Sequence, residues 1–227
     1  MKRTLLIAAL FASATVPALA ADLPVKAPRL APVPILNWTG FYVGINGGYA
    51  WGSSDWSLVP TASNKPKGWL AGGTLGYNYQ TGSIVWGLEG DFDWSNVKDD
   101  VACAPLVTCG TEQKWLATFR GRVGYAFDRW LPYITGGGAY GRVVAKVDVP
   151  PPGFAASSSS DQLGWTVGVG LEYAFLSNWS AKIEYLYVDL GSFNSAPVAP
   201  VNNVSFKENI VRAGLNYKFS GPIFSRY

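Results

Sequence analysis

The side chains of this chain that could perform chemistry are carboxylates and arginines at alternating positions. Glu89, Asp91 and Asp93 lie two residues apart, as do Arg120 and Arg122. On a strand, residues two apart share a face, and two carboxylates on one face could act as general acid and general base. Nothing else in the sequence indicates a substrate pocket beside Asp91 and Asp93. We therefore favour ion pairing with the arginines over catalysis.

Other catalytic and ligand-binding motifs give little support for an enzyme. The chain has no His, which excludes a Ser-His-Asp arrangement and removes the commonest ligand of zinc and haem iron. Residues 136–141 (GGGAYG) satisfy G-x-G-x-x-G. A dinucleotide site needs that pattern between a strand and a helix, whereas here it lies within a predicted strand. We expect no enzyme activity, no catalytic residues, and no cofactor or metal.

Two cysteines, Cys103 and Cys109, lie close together beside Pro105 and Gly110. Their spacing is not that of a C-x-x-C redox motif. A disulfide that closes a small loop is the favoured interpretation and would contribute about 2 kcal/mol. Two reduced thiols are the alternative.

The amino terminus has the pattern of a secretory signal peptide, assigned to residues 1–20. Lys2 and Arg3 precede an apolar run, and a small-residue motif predicts cleavage between Ala20 and Ala21. The apolar run is shorter than the roughly 20 residues that a membrane-spanning helix needs. Without Lys2 and Arg3 the formal charge falls from +3 to +1, so nothing indicates nucleic-acid binding.

The rest of the chain divides into a leader and one domain. Residues 21–37 are rich in proline and predict an extended periplasmic leader. Residues 38–227 form the predicted domain. Aromatic residues make up 15% of the chain and charged residues only 15%, a profile that suits a membrane β-barrel better than a cytosolic enzyme.

Eight stretches alternate between aromatic or aliphatic residues on one face and small, polar or charged residues on the other. This is the pattern of an outer-membrane barrel with an apolar exterior. The predicted strands are 40–52, 68–80, 83–95, 114–127, 130–148, 162–174, 179–188 and 205–219. Short and long connectors alternate along the chain, which indicates periplasmic turns and surface loops. The long ones are 53–67, 96–113, 149–161 and 189–204.

Aromatic residues cluster at the ends of these strands, which predicts two girdles at the headgroup level. The girdle residues are Trp38, Trp51, Trp69, Trp94, Trp115, Trp130, Trp165, Trp179, Tyr217 and Phe219.

Charged residues alternate with the apolar ones along the strands and therefore lie on the opposite face, which is assigned to the lumen. They are Glu89, Asp91, Asp93, Arg120, Arg122, Arg142, Lys146, Glu172, Lys182, Glu184, Arg212 and Lys218. An eight-stranded barrel is just wide enough for side chains to fill. These charges form either a structural plug of ion pairs or a polar pathway, and the narrow lumen with both signs of charge favours the plug.

Several motifs resemble those of the small outer-membrane immunogenic, porin-like proteins of alphaproteobacteria. They are residues 37–44 (NWTGFYVG), 121–125 (GRVGY), 184–191 (EYLYVDLG) and 211–219 (VRAGLNYKF). The resemblance implies an eight-stranded barrel, exposed loops, and roles in envelope integrity and host interaction. Barrel proteins of this kind usually end on an aromatic residue of the last strand, whereas here residues 220–227 follow Phe219.

The sequence therefore predicts an all-β fold, an eight-stranded antiparallel up-and-down transmembrane barrel with both termini in the periplasm. The expected function is non-enzymatic: envelope integrity and presentation of surface loops. A narrow channel for ions or small solutes and a loop-mediated adhesin are the alternatives. Expected partners are outer-membrane lipid and lipopolysaccharide, the barrel-assembly machinery, and host-surface or peptidoglycan-associated molecules.

Overall fold

Alternating side chains make these segments strands, because each strand presents its apolar residues to one face and its polar residues to the other. The computed structural model describes residues 36–56, 63–104, 107–148, 153, 155–193 and 204–219. The signal peptide, most of the leader and the tail from residue 220 lie outside the described residues.

Eight long antiparallel strands and one short strand make up the described fold. Each long strand pairs with the next along the chain, and the first pairs with the last, which closes the sheet. This confirms the predicted eight-stranded barrel. The strands are β1 Gly40–Trp56, β2 Ser63–Asn64, β3 Lys67–Thr81, β4 Ile84–Ala104, β5 Val107–Tyr125, β6 Trp130–Asp148, β7 Ala155–Ala174, β8 Trp179–Phe193 and β9 Val204–Lys218.

The barrel exterior carries a band of exposed apolar side chains. On β3 these run from Trp69 to Tyr79, and on β4 from Ile84 to Trp94. At about 3.4 Å per residue and a tilt of about 40°, each run rises roughly 25 Å along the barrel axis. This matches the apolar band of about 25 Å typical of outer-membrane barrels. No helix in the described part of the chain is long and apolar enough to cross a membrane.

The two ends of the barrel differ in their connections. At one end, which we call the turn end, Thr81 pairs directly with Ile84 across a two-residue turn. Gly82 has a φ of 61° there, a conformation that glycine adopts without steric cost. At the other end, the loop end, the strands extend beyond the apolar band.

The loop-end extensions are longer than the sequence predicted. β4 and β5 continue as a paired hairpin to Ala104 and Val107, and β6 and β7 pair as far as Asp148 and Ala155. The predicted loops 96–113 and 149–161 are therefore largely strand. Beyond the lipid band both faces of a strand are free to be polar, so alternation no longer marks a strand there.

The lumen has three layers. One apolar cluster lies at the loop end and includes Leu116, Leu186 and Phe206. A second cluster at the turn end is built from Trp38, Val85, Leu131 and Ala174. Charged side chains occupy the space between them, as the order Lys182, Glu184, Leu186, Val188 along β8 shows.

Candidate functional site

Nine of the charged residues assigned to the lumen lie together inside the barrel. Each is at most 5% exposed. They come from five strands, β4, β5, β7, β8 and β9, and form one contiguous network of ion pairs. The nine are Glu89, Asp91, Asp93, Arg120, Arg122, Glu172, Lys182, Glu184 and Arg212.

Arg120 lies at the centre of this network. Its Nη2 atom lies 2.5 Å from Glu89 Oε1 and 2.5 Å from Asp91 Oδ2, and its Nη1 atom lies 2.9 Å from Glu184 Oε1. Glu89 is directly opposite Arg120 on β4, whereas Glu184 comes from β8 across the lumen. Lys182 Nζ approaches Glu89 Oε2 at 3.0 Å. Arg120 thus connects opposite walls of the barrel.

Arg212 provides a second centre, nearer the loop end. Its Nη1 atom lies 2.9 Å from Asp93 Oδ2. Its Nη2 atom lies 2.7 Å from Glu184 Oε2 and 3.0 Å from Asp91 Oδ1. Asp91 and Glu184 are therefore each held by two arginines, Arg120 and Arg212. Because these side chains are at most 5% exposed, such multiple pairing offsets the cost of removing the charges from water.

Arg122 is clamped between two tyrosines that the sequence analysis missed. Its Cζ atom lies 4.2 Å from the ring centroid of Tyr133 and 5.7 Å from that of Tyr42, distances typical of cation–π contacts. A Cβ atom added to Gly170 would lie 2.3 Å from the Tyr133 ring, and one added to Gly76 would lie 2.3 Å from the Tyr42 ring. These two glycines leave the space that the rings occupy.

Hydrogen bonds join the two tyrosines to nearby glutamates, and an ion pair joins Arg122 to a third glutamate. Tyr42 Oη donates to Glu89 Oε2 at 2.7 Å, and Tyr133 Oη donates to Glu184 Oε1 at 3.1 Å. Arg122 Nη2 lies 2.6 Å from Glu172 Oε2. Tyr42 and Tyr133 lie on the inward face of their strands, and that alternation is the signal that could have identified them.

Glu208 is a buried carboxylate that the sequence analysis also missed. Gln113 Nε2 donates to its Oε1 atom at 2.9 Å. Within the described chain its Oε2 atom has no hydrogen-bond partner. It shares the inward face of β9 with Ile210 and Arg212, so the alternation of β9 could have identified it.

Arg142 and Lys146 are not in the lumen, contrary to the sequence analysis. Their side chains are 47% and 51% exposed. Arg142 forms a two-point ion pair with Asp161 at 2.6 and 2.9 Å, and this pairing lowers the pKa of Asp161. The inward face of β6 carries odd-numbered residues such as Val143, so Arg142 and Lys146 point outward, beyond the apolar band.

Two residues at the turn end also differ from their predicted positions. Trp38 is 5% exposed and belongs to the inner apolar cluster rather than to a girdle. The backbone N–H of Trp38 donates to the side-chain oxygen of Gln80, and the backbone N–H of Gln80 donates to the hydroxyl of Thr39. These two bonds hold Trp38 and Thr39 at the turn end. Lys218 lies at the rim, half-buried, and its ammonium group donates to the carbonyl of Asn37. Lys218 is not part of the central ion-pair network.

The remaining girdle residues face outward at the two ends of the apolar band. Ring contacts link neighbours at the turn end, such as Trp130 with Tyr173 and Trp179 with Tyr217, whose centroids lie 4.5 and 5.1 Å apart. The outward-facing members are Trp51, Trp69, Trp94, Trp115, Trp130, Trp165, Trp179, Tyr217 and Phe219.

The disulfide between Cys103 and Cys109 stays a prediction. Both residues lie on the β4–β5 extension, but their side chains lie outside the described part of the structure. The backbone register places Val101, not Cys103, directly opposite Cys109, with a register shift between Ala102 and Ala104.

Comparison with known proteins assigns the family. The model of the family described as "Outer membrane protein beta-barrel domain" matches residues 6–219. The chain belongs to this family. The 31 kDa outer-membrane immunogenic protein of Brucella melitensis is 39% identical over 238 residues, which cover 94% of this chain and 97% of that protein. The 22 kDa outer membrane protein of Rhizobium leguminosarum is 34% identical, covering 83% of this chain and 82% of its own length.

These relatives confirm the resemblance to alphaproteobacterial immunogenic proteins and identify the chain as an outer-membrane β-barrel protein. Among solved structures, OprG from Pseudomonas aeruginosa superposes with a TM-score of 0.53 at 18% identity. It covers 82% of this chain and 100% of OprG. That likeness concerns the fold alone.

Proposed function

We propose that this chain is a non-enzymatic, non-conducting barrel that contributes to the integrity of the outer membrane and presents its loop end at the cell surface. The observation that carries the proposal is the filled lumen. The ion-pair network lies between two apolar clusters, one containing Phe206 and the other Trp38. A hydrated ion that enters would have to displace both the apolar side chains and the paired charges.

The proposed orientation places the turn end in the periplasm and the loop end outside. The long extensions of β4 to β7 support it, since outer-membrane barrels have short periplasmic turns and longer external loops. An epitope inserted at Gly153 is expected to be accessible to antibody on intact cells. One inserted at Gly82 should become accessible only after the outer membrane is permeabilised, and the reverse result would overturn the orientation.

Conductance in a planar bilayer tests the closed lumen. We expect the refolded mature protein to be silent, because the described side chains of the network are at most 5% exposed and occupy the middle of the lumen. Steady openings whose ion selectivity changes in an Arg120→Glu variant would instead support the narrow-channel alternative. Native electrophoretic mobility of both proteins controls for correct folding.

A deletion strain tests the envelope role. Cells that lack the protein are expected to become more sensitive to detergent and to large antibiotics, and the intact gene should restore resistance. Unchanged sensitivity would contradict the envelope role. In that case host-cell attachment by the deletion strain would test the adhesin alternative.

A further inference from the structure

Lysines face one another across strands at the loop-end rim. Lys67 on β3 is directly opposite Lys98 on β4, and Lys98 is directly opposite Glu112 on β5. The side chains of Lys67 and Lys98 are exposed. Like charges directly opposite each other destabilise a sheet. An anion bound between Lys67 and Lys98 would therefore stabilise this part of the rim.

Glu112 is already engaged by two other lysines. Lys114 Nζ lies 2.5 Å from its Oε1 atom and Lys146 Nζ lies 2.7 Å from its Oε2 atom. These hydrogen bonds lower the pKa of Glu112. Asp100 lies farther out on the same face. We call Lys67, Lys98, Lys114 and Lys146 the lysine row; with Glu112 and Asp100 included, its formal charge remains positive.

Aromatic rings lie on the same outward surface, directly below the lysine row. Phe92 contacts Trp94 with ring centroids 5.1 Å apart and Trp115 at 5.8 Å, and Trp115 contacts Tyr140 at 5.3 Å. These four rings, from β4, β5 and β6, form what we call the ring cluster. Phe92, Trp94 and Tyr140 are 42%, 64% and 43% exposed, so the cluster offers an apolar surface to acyl chains.

The vertical spacing fits a lipid with a phosphorylated headgroup. Glu112 lies three residues beyond Trp115 on β5, or about 8 Å along the barrel axis for a tilted strand. The headgroup layer on each side of a bilayer is about 5 to 7 Å thick. When the ring cluster lies at the edge of the hydrocarbon, the lysine row therefore lies at the outer boundary of the headgroup layer, and its long side chains can reach back to the headgroup phosphates.

We propose that the lysine row and the ring cluster together bind a phosphorylated glycolipid of the outer leaflet, namely lipopolysaccharide. Its phosphate lies between Lys67 and Lys98 and relieves their repulsion, while its acyl chains pack on the ring cluster. This site rests on the proposed orientation, in which the loop end meets the outer leaflet, and it adds a specific lipid contact to the proposed envelope role.

The test measures association of fluorescent lipopolysaccharide with the refolded mature protein in neutral detergent micelles. Lys98→Gln is expected to weaken association about fivefold, and Lys67→Gln with Lys98→Gln about thirtyfold, at about 1 kcal/mol per lysine near an anionic surface. Lys207→Gln is the matched control, because Lys207 is 48% exposed, lies 3.8 Å from Asp189 and is separated from Lys67 by strand β1. It should bind like the parent protein.

Three results would overturn the proposal. The first is equal binding by the Lys98 variant and the Lys207 control. The second is equal binding of lipopolysaccharide from which the phosphates have been removed. The third is displacement by millimolar inorganic phosphate, which would identify a free-phosphate site rather than a lipid site. None of these results depends on the epitope experiment, so failure of the site and failure of the orientation are distinguishable.

Discussion

Replacement of Arg120 by Met is the sharpest test of the ion-pair network. Met keeps much of the apolar stem but removes the guanidinium group shared by Glu89, Asp91 and Glu184, which lies 2.5 to 2.9 Å from their oxygens. Removing one partner of a buried pair leaves uncompensated charge and costs about 3 to 5 kcal/mol.

The structure places the expected loss at the lower end of that range. Arg212 still lies 3.0 Å from Asp91 and 2.7 Å from Glu184 after the change. Lys182 still lies 3.0 Å from Glu89. Each of these carboxylates therefore keeps at least one cation, and we expect Arg120→Met to lower the free energy of unfolding by about 3 kcal/mol.

Urea unfolding in lipid vesicles, followed by tryptophan fluorescence, measures this loss. With a slope of about 2 kcal/mol/M, the midpoint should fall by about 1.5 M. Arg142→Met is the matched control, since Arg142 forms an exposed pair with Asp161 and should cost at most about 1 kcal/mol. A midpoint for the Arg120 variant equal to or above that of the Arg142 control would refute the claim that pairing in the lumen stabilises the barrel.

Three further substitutions, one of them with a matched glycine control, test separate parts of the lumen by the same unfolding assay. Gly170→Ala should lower the midpoint because its Cβ would lie 2.3 Å from the Tyr133 ring, whereas Gly138→Ala, with nothing within 4 Å, should not. Trp38→Ala should cost about 3 kcal/mol because it empties a buried site at the turn end; an unchanged midpoint would show that Trp38 does not seal the lumen. Glu208→Gln should leave stability unchanged or raise it, since Oε2 has no partner in the described structure and the bond to Oε1 is kept; a clear loss would contradict this.

The alternation of apolar and polar residues predicted many of the residues that line the lumen, because successive side chains of a strand point to opposite faces. Glu89 and Arg120 were expected on adjacent strands, and the register places them directly opposite each other. Partners across the lumen could not be predicted in this way. The contact of Arg120 with Glu184 depends on the stagger and tilt of all eight strands, which no single segment encodes.

The phase of β6 was misread where its sequence carries the least information. Gly136, Gly137 and Gly138 have no side chains, so neither face is marked as apolar through the middle of the strand. The charged residues that follow, Arg142 and Lys146, were then assigned to the lumen. Beyond Tyr140 the strand has left the lipid band, and an outward charge there no longer meets hydrocarbon.

The order of layers in the lumen explains why the charges must be paired. Phe206 at one end and Trp38 at the other are each at most 5% exposed, and so are the nine charged residues between them. In such a medium an unpaired charge is far more costly than at the surface. The apolar layers that enclose the network therefore make each pair in it important for stability. The proposed recognition site, the lysine row, lies on the exposed surface instead.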